Sequence, residues 1–234
     1  MKALLLAAGP GTRLRPITDS IPKCLVPVRG KPLLGYWFDL LFGSGIERAL
    51  VNTHYLAAQV RRYVSESRWR DRIDLIHEDE ILGTGGTVLR ARDYFQQQPF
   101  MVAHADNLSR FDVSAFVARH HCRPRGTEIT MMTFITDSPG TCGIVVESDG
   151  GLVTDCLEKV ENPPGNRANA AVYIFEPSVI DYLETIGGPF IDLSTQVIPN
   201  YLGRICTFHN ADYHRDIGNP ESLRRAEEEY RDVR

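Results

Sequence analysis

The segment Leu6-Ala7-Ala8-Gly9-Pro10-Gly11-Thr12-Arg13-Leu14-Arg15 holds residues suited to chemistry on phosphate. An apolar run, residues 2–7, empties there into a glycine-rich loop with an arginine inside it. Glycines let backbone N–H groups come close to an oxyanion, and a guanidinium adds a forked, permanent positive charge. Lys23, set between Pro22 and Pro27, is a second cation. The loop is not a Walker A, because Gly-x-x-x-x-Gly-Lys-[Ser/Thr] is absent. Nor is it the Gly-x-Gly-x-x-Gly of dinucleotide folds, because Leu14 stands at the third glycine. A second glycine-rich run, Leu82-Gly83-Thr84-Gly85-Gly86-Thr87, follows the acids Glu78, Asp79 and Glu80. It reads as a turn into a helix N-terminus, with N–H donors and room for a flat base. Asp106 closes an apolar run that starts at Phe100, and Asp216 lies in Arg215-Asp216-Ile217-Gly218-Asn219-Pro220. Spacing alone leaves these two acids open as metal ligands or as solvated surface groups.

The elements that must position these residues alternate through the first half. Residues 2–7, 48–53, 72–77 and 100–104 read as strands, the first as one buried on both faces. Between them, residues 32–42 open on a proline and stop at Gly43-Ser44-Gly45, Leu56, Val60 and Val64 mark one helical face, and a helix is expected from about 87 to 95. Strand–helix alternation predicts a parallel sheet with helices on both faces, binding ligands at the strand carboxyl ends. The second half changes character: residues 128–136, 143–147, 152–159 and 168–175 are strand-like with short links, fitting a β-rich insertion or an antiparallel extension of the sheet. Strand 204–209, the segment 213–218 and a charged helix from Pro220 follow.

The chain has 234 residues, 26 Lys+Arg against 30 Asp+Glu, and a formal net charge of −4. That balance argues against a nucleic-acid binder. With 43% hydrophobic and 24% charged residues the chain can bury a core, and disorder is excluded for most of its length. No apolar run approaches the roughly 18 residues of a membrane span. The start could pass for a short signal sequence, but Gly-Pro-Gly, Arg13 and Arg15 follow with no cleavage pattern, and a buried first strand is the better reading. Five scattered cysteines without a Cys-x-x-Cys pair predict reduced, mostly buried thiols in a cytoplasmic protein. His120-His121-Cys122 lacks a spaced partner and is not read as a metal site. His209 and His214 are read as structural.

Taken in order, these motifs make the sequence resemble the sugar-1-phosphate nucleotidylyltransferases, or NDP-sugar pyrophosphorylases, whose signature runs Leu-Ala-Ala-Gly-x-Gly-Thr-Arg-Leu-x-Pro-Leu-Thr, Pro-Lys-Pro-Leu-x-Pro-Val and Gly-Lys-Pro-Leu-Leu. The chain matches over 6–18, 22–28 and 30–34, departing at Ile17 and Cys24, with Pro10 at a variable site. Residues 82–86 resemble the family's base-recognition loop, Asp106 its metal aspartate, and 216–220 its Asp-(Ile/Val)-Gly-x-Pro. Glu158-Lys159-Val160 resembles Glu-Lys-Pro, and Asn169-Ala170-Ala171-Val172-Tyr173 resembles Asn-Ala-Gly-Ile-Tyr. The departures here are His104 and Ala105 beside Asp106, Val160 for proline, and Ala171 for glycine.

The resemblance implies a Rossmann-like, three-layer α/β/α (GT-A-like) fold with a mixed, mainly parallel sheet and a β-rich sugar-binding part. It implies one domain, 1–234, whose nucleotide-binding half is about 1–110 and whose sugar-binding half is about 111–234, with no hexapeptide β-helix. Arg13 and Lys23 are implied as catalytic. Leu6, Ala7, Ala8, Gly9, Gly11, Thr12, Arg13, Glu80, Leu82, Gly83, Thr84, Gly85 and Asp106 are implied on the nucleotide, and Asn107, Gly143, Glu158, Lys159 and Asn169 on the sugar phosphate. Asp106 and Asp216 are implied to hold Mg²⁺. The substrates would be a nucleoside triphosphate and a sugar 1-phosphate, with no nucleic-acid or membrane partner and a homodimer compatible. Guanylyltransferases for D-glycero-D-manno-heptose 1-phosphate or mannose 1-phosphate, which make GDP-heptose or GDP-mannose for capsule or lipopolysaccharide, are the most similar. A uridylyltransferase for N-acetylmuramic acid 1-phosphate and a non-catalytic nucleotide-sugar-binding regulator are the alternatives. A GT-A glycosyltransferase is disfavoured, because it would want Asp-x-Asp where this chain has Asp106-Asn107-Leu108.

Overall fold

The computed structural model describes residues 1–231, so the last three residues of the expected domain lie outside it. The chain forms two compact units interleaved in sequence. Among the described residues the first comprises 3–81, 104–111 and 212–231, the second 1–2, 82–103 and 112–211.

In the first unit, β1 (Lys2–Leu6) leads through three single 3-10 turns to a short hairpin, β2 (Pro27–Val28) and β3 (Lys31–Pro32). Helix α1 (Leu33–Gly43) is apolar nearly all round, and eight of its eleven residues are buried. β4 (Arg48–Thr53) lies beside β1 and pairs in parallel with β5 (Ile73–His77), from Ala49 opposite Ile73 to Thr53 opposite His77. Helix α2 (Ala57–Glu66) joins them and buries only Ala57, Val60 and Val64. Leu56, expected on that face, instead precedes the helix with φ +49.

The second unit opens with α3 (Gly83–Arg90) and α4 (Arg92–Phe95). The helix expected from 87 therefore begins four residues earlier, and it breaks at Ala91. β6 (Phe100–His104) follows, and the chain returns to the first unit for β7 (Asn107–Arg110). Helix α5 (Val113–His121), β8 (Ile129–Ile135), β9 (Gly143–Glu147), β10 (Val153–Glu158), β11 (Arg167–Phe175), α6 (Ser178–Ile186) and β12 (Ile205–His209) complete the second unit. The nine-residue β11 is its spine, antiparallel to β6, β8 and β9, while β12 runs parallel to β8. The antiparallel extension read from the sequence is present, and the chain has the expected Rossmann-like α/β fold with a mixed sheet.

Two further elements close the first unit. β13 (Tyr213–Asp216) pairs with β7, bringing Asp216 opposite Asn107. Helix α7 (Pro220–Glu229) is capped by Asn219 and Ser222, and its Ala226 joins Leu14, Val28, Leu33, Tyr36, Leu108, Ile217 and Tyr230 in one buried cluster. That cluster ties the glycine loop and the strand bearing Asp216 to one core. Among the described residues no helix is long and apolar enough to cross a membrane. All five cysteines are free, but only Cys24 and Cys206 are buried, which corrects the expectation of mostly buried thiols.

Candidate active site

The carboxyl end of β1 is held by two contacts. The Ala7 N–H donates to Asn52 Oδ1 at 2.6 Å, and the Ala105 N–H donates to the Leu6 carbonyl at 3.0 Å. The loop then turns at Gly11, whose φ of +63 is left-handed. A Cβ there would stand 2.9 Å from Lys23 Cβ and 3.0 Å from Thr18 Cγ2, so only glycine fits. Thr18 Oγ1 donates to the Gly11 carbonyl at 2.8 Å, and Tyr55 Oη donates to the Thr18 carbonyl at 2.9 Å, which braces the loop from α2's side.

Lys23 is the centre of this arrangement. Its side chain is 9% exposed, and its Nζ donates to Asp106 Oδ2 at 2.5 Å and to Asp216 Oδ1 at 3.4 Å. Burial works to lower the Lys23 pKa, but the two carboxylates outweigh it and hold the ammonium above the usual lysine range. Partial burial would raise Asp106, yet Lys23, and then His104, keep its carboxyl below the usual range. Arg13, largely exposed, reaches Asp216 at 3.9 Å. Gly218 completes the cradle: a Cβ on it would lie 2.7 Å from Asp216 Oδ2 and 3.2 Å from Arg13 Nη2. The structure thus brings Arg13, Lys23, Asp106 and Asp216 together from four separate places in the chain. Asn107 pairs opposite Asp216 in the β7–β13 ladder.

Two carboxylates converging on one cation are hard oxygen donors of the kind Mg²⁺ takes. No group of three or more His, Cys, Asp or Glu side chains is poised to hold a metal among the described residues. Asp106 and Asp216 alone would leave most of such an ion's ligands to phosphate and water.

Glu78 is the residue the sequence reading passed over. It is 1% exposed at the end of β5, and its Oε1 accepts from Asn52 Nδ2 at 3.0 Å, while Glu80 is exposed. Glu78 thereby orients the amide that holds Ala7. A carboxylate directly after an apolar strand's carboxyl end is the signal for it in the sequence, where Glu78 reads only as part of the acid-rich lead-in to the glycine run.

In the second unit, the glycines of 83–86 serve close packing. A Cβ on Gly83 (φ +77) would lie 2.4 Å from the Ile191 carbonyl oxygen, and one on Gly85 2.7 Å from Ile191 Cγ2. The Gly85 and Gly86 N–H groups both donate to that carbonyl, at 2.8 and 3.2 Å, so they are not the open donors the sequence implied. Thr84 Oγ1 accepts the Leu193 N–H at 2.8 Å and lies 3.4 Å from Asp192 Oδ2. Glu158 stands opposite Gly143, with Oε2 2.6 Å from where a Gly143 Cβ would be. Lys159 lies 3.1 Å from Glu158 and adopts φ +50. Asn169 Nδ2 donates to Tyr173 Oη at 2.6 Å. His120 is fully buried between Thr130 and Glu176.

Comparison with known proteins returns one family. The sequence pattern described as nucleotidyl transferase matches residues 2–233. A mannose-1-phosphate guanylyltransferase of Mycobacterium tuberculosis is 31% identical, covering 94% of this chain and 62% of that protein. A UTP–glucose-1-phosphate uridylyltransferase of Synechocystis is 32% identical over 93% of this chain and 60% of that protein. The chain thus spans about three fifths of these relatives' length. Among solved structures, HddC from Yersinia pseudotuberculosis complexed with GMP-PN superposes with a TM-score of 0.81 at 24% identity, covering 98% of this chain and 99% of that one.

Proposed function

The chain belongs to the nucleotidyl transferase family, and from that premise we propose that it joins a nucleoside triphosphate to a sugar 1-phosphate, releasing an NDP-sugar and pyrophosphate. The observation that carries this reading is the Lys23 ammonium held between Asp106 and Asp216 beneath a glycine loop bearing Arg13. A phosphate oxygen of the sugar 1-phosphate attacks the α-phosphorus in line, and the bond to pyrophosphate breaks. That oxygen is already ionised at neutral pH, so no general base is required, and the protein's task is alignment and charge neutralisation. The loop from Ala7 to Arg13 receives the triphosphate. Arg13 stabilises the charge that builds on the leaving pyrophosphate, and Lys23 steadies the α-phosphate. Lys159, exposed beside Glu158, meets the sugar phosphate, and Asn169 orients the sugar. Mg²⁺, held by Asp106 and Asp216, would supply Lewis-acid neutralisation of phosphate charge.

Guanine is the base favoured, because an exposed carboxylate such as Glu80 complements the N1–H and N2–H₂ donors that only guanine presents together, and because relatives that transfer guanylyl groups are prominent. Mannose 1-phosphate or D-glycero-D-manno-heptose 1-phosphate is the matching sugar, and the cytoplasm, where nucleoside triphosphates are abundant, is the matching compartment. The Synechocystis relative keeps uridylyl transfer as the second reading. The test is pyrophosphate release with Mg²⁺ from a matrix of GTP, UTP, dTTP, ATP and CTP against mannose, heptose, glucose and N-acetylmuramic acid 1-phosphates, with Asp106→Ala as the blank. Release from one pair, lost in the blank, is expected. Binding of nucleotide-sugars without release from any pair would overturn the enzyme reading.

A further inference from the structure

β11 is irregular where it passes β8. Against β8, Asn169 pairs with Thr133 but Tyr173 pairs with Met131, so four steps on β11 answer two on β8. The excess is absorbed around Ala171, whose φ is +53. Glycine enters that left-handed region freely, whereas an alanine Cβ meets its own carbonyl there. The Asn169 side chain locks the bulge: its Oδ1 accepts the Ala171 N–H at 2.9 Å while its Nδ2 holds Tyr173 Oη. Burial alternates through the stretch. Ala168 and Ala170 are fully buried, whereas Arg167, Asn169 and Ala171 remain partly open. Asn169 and Ala171 are thus the partly open residues at the bulge. Ala168 pairs opposite Ile144, which brings Gly143 and, across from it, Glu158 alongside. This region is pared to bare backbone at Gly143 yet keeps a methyl at Ala171, in a conformation that penalises it.

Strained residues and bulges persist where the surrounding structure enforces them, and they concentrate where a ligand must be positioned. We propose that the Ala171 methyl is a size-selecting element of the sugar 1-phosphate pocket, an inference that rests on the nucleotidylyltransferase reading. It narrows the space beside Asn169 and Glu158, so that plain hexose 1-phosphates are accepted and those carrying N-acyl or lactyl substituents are rejected. One methyl in such a site discriminates by about 10–200-fold.

Two substitutions separate size from strain. Glycine and asparagine both tolerate left-handed φ better than alanine, but Ala171→Gly opens that space and Ala171→Asn fills it. The readouts are thermal midpoints and kcat/KM for pyrophosphate release with mannose, glucose, N-acetylglucosamine and N-acetylmuramic acid 1-phosphates. In Ala171→Gly, the ratio of N-acylated to plain hexose kcat/KM is expected to rise tenfold or more. In Ala171→Asn, kcat/KM for the plain hexoses is expected to fall at least tenfold, with both variants melting no lower than the wild type. An unchanged sugar ranking in both variants overturns the proposal and leaves the enzyme reading standing. A wild type that already prefers the N-acylated sugars also overturns it. A wild type that turns over no pair overturns the enzyme reading and this proposal together.

Discussion

At the scale of single residues, the arrangement around Lys23 makes a demand that a surface lysine would not. Its ammonium neutralises two carboxylates from inside the protein, so Lys23→Met leaves Asp106 and Asp216 without their shared cation. Turnover is expected to fall by about 10²–10³, the usual cost of losing one preorganised charge-stabilising group, and steady-state pyrophosphate release with substrates saturating measures it. His120 gives a pH prediction. Burial first, then Arg123 and His121, push its pKa down to about 4. Glu176, paired with Arg123 at 2.6 Å, accepts from His120 Nε2–H, which leaves Nδ1 to accept the Thr130 hydroxyl. The unfolded chain, with an ordinary histidine pKa near 6.5, takes up the proton first as pH falls. Stability is therefore intact above about pH 6.5 and erodes toward pH 4, by as much as about 3 kcal/mol from this residue. Urea titrations from pH 7 to 4.5 are expected to show a shallower pH slope for His120→Gln, which keeps a donor toward Glu176, than for the wild type. Equal slopes would mean that His120 protonates in the folded state as readily as in the unfolded one.

At the scale of elements, the start of α3 depends on glycine for packing. Gly83→Ala would drive a methyl into the Ile191 carbonyl at a left-handed φ, and a backbone oxygen cannot move aside cheaply. Gly85→Ala meets side-chain carbons only, Ile191 Cγ2 at 2.7 Å and Leu183 Cδ2 at 3.1 Å. The expected losses are roughly 3 kcal/mol or more for Gly83→Ala and about 1–2 kcal/mol for Gly85→Ala, ranked by urea midpoints. Reversal of that order would mean the 190–193 segment yields more readily than its hydrogen bonds to Gly85 and Gly86 imply. This explains why the loop's role was only half legible: Leu82-Gly-Thr-Gly-Gly announces a helix start, but the segment that occupies its N–H groups lies about 105 residues on, where local pattern says nothing. Continuous apolar runs did mark β4, β6 and β9 to the residue. β7 and β13 carry no such signal, being short and polar, yet their pairing is what delivers Asp216 to Lys23. α5 was hidden for a different reason. Its buried stripe of Val113, Phe116 and His120 has helical spacing, but a histidine does not read as core until its partners are seen.

At the scale of the whole molecule, the proposed reaction sets a chain of net charge −4 to bind two anions. Long-range attraction cannot recruit them, so affinity must come from local cations and from an ion at Asp106 and Asp216. That makes ligand-linked stability a direct test of the site. A nucleotide present at about 100 times its Kd stabilises the folded state by about 2.7 kcal/mol, which for a chain of this size raises the melting temperature by roughly 5–10 °C. GTP with Mg²⁺ is expected to give that shift in the wild type, and GTP with EDTA to give a much smaller one. In Asp216→Asn, the two conditions are expected to converge, because one of the two hard donors is gone while the glycine loop still receives phosphate. Arg13→Ala should behave differently: the Mg²⁺-dependent part of the shift persists, since Arg13 only flanks the acids, and the total shift shrinks. A full shift in EDTA, or an Asp216→Asn variant that still distinguishes Mg²⁺ from EDTA as the wild type does, would remove the ion from these two carboxylates and leave Lys23 as their permanent counter-charge.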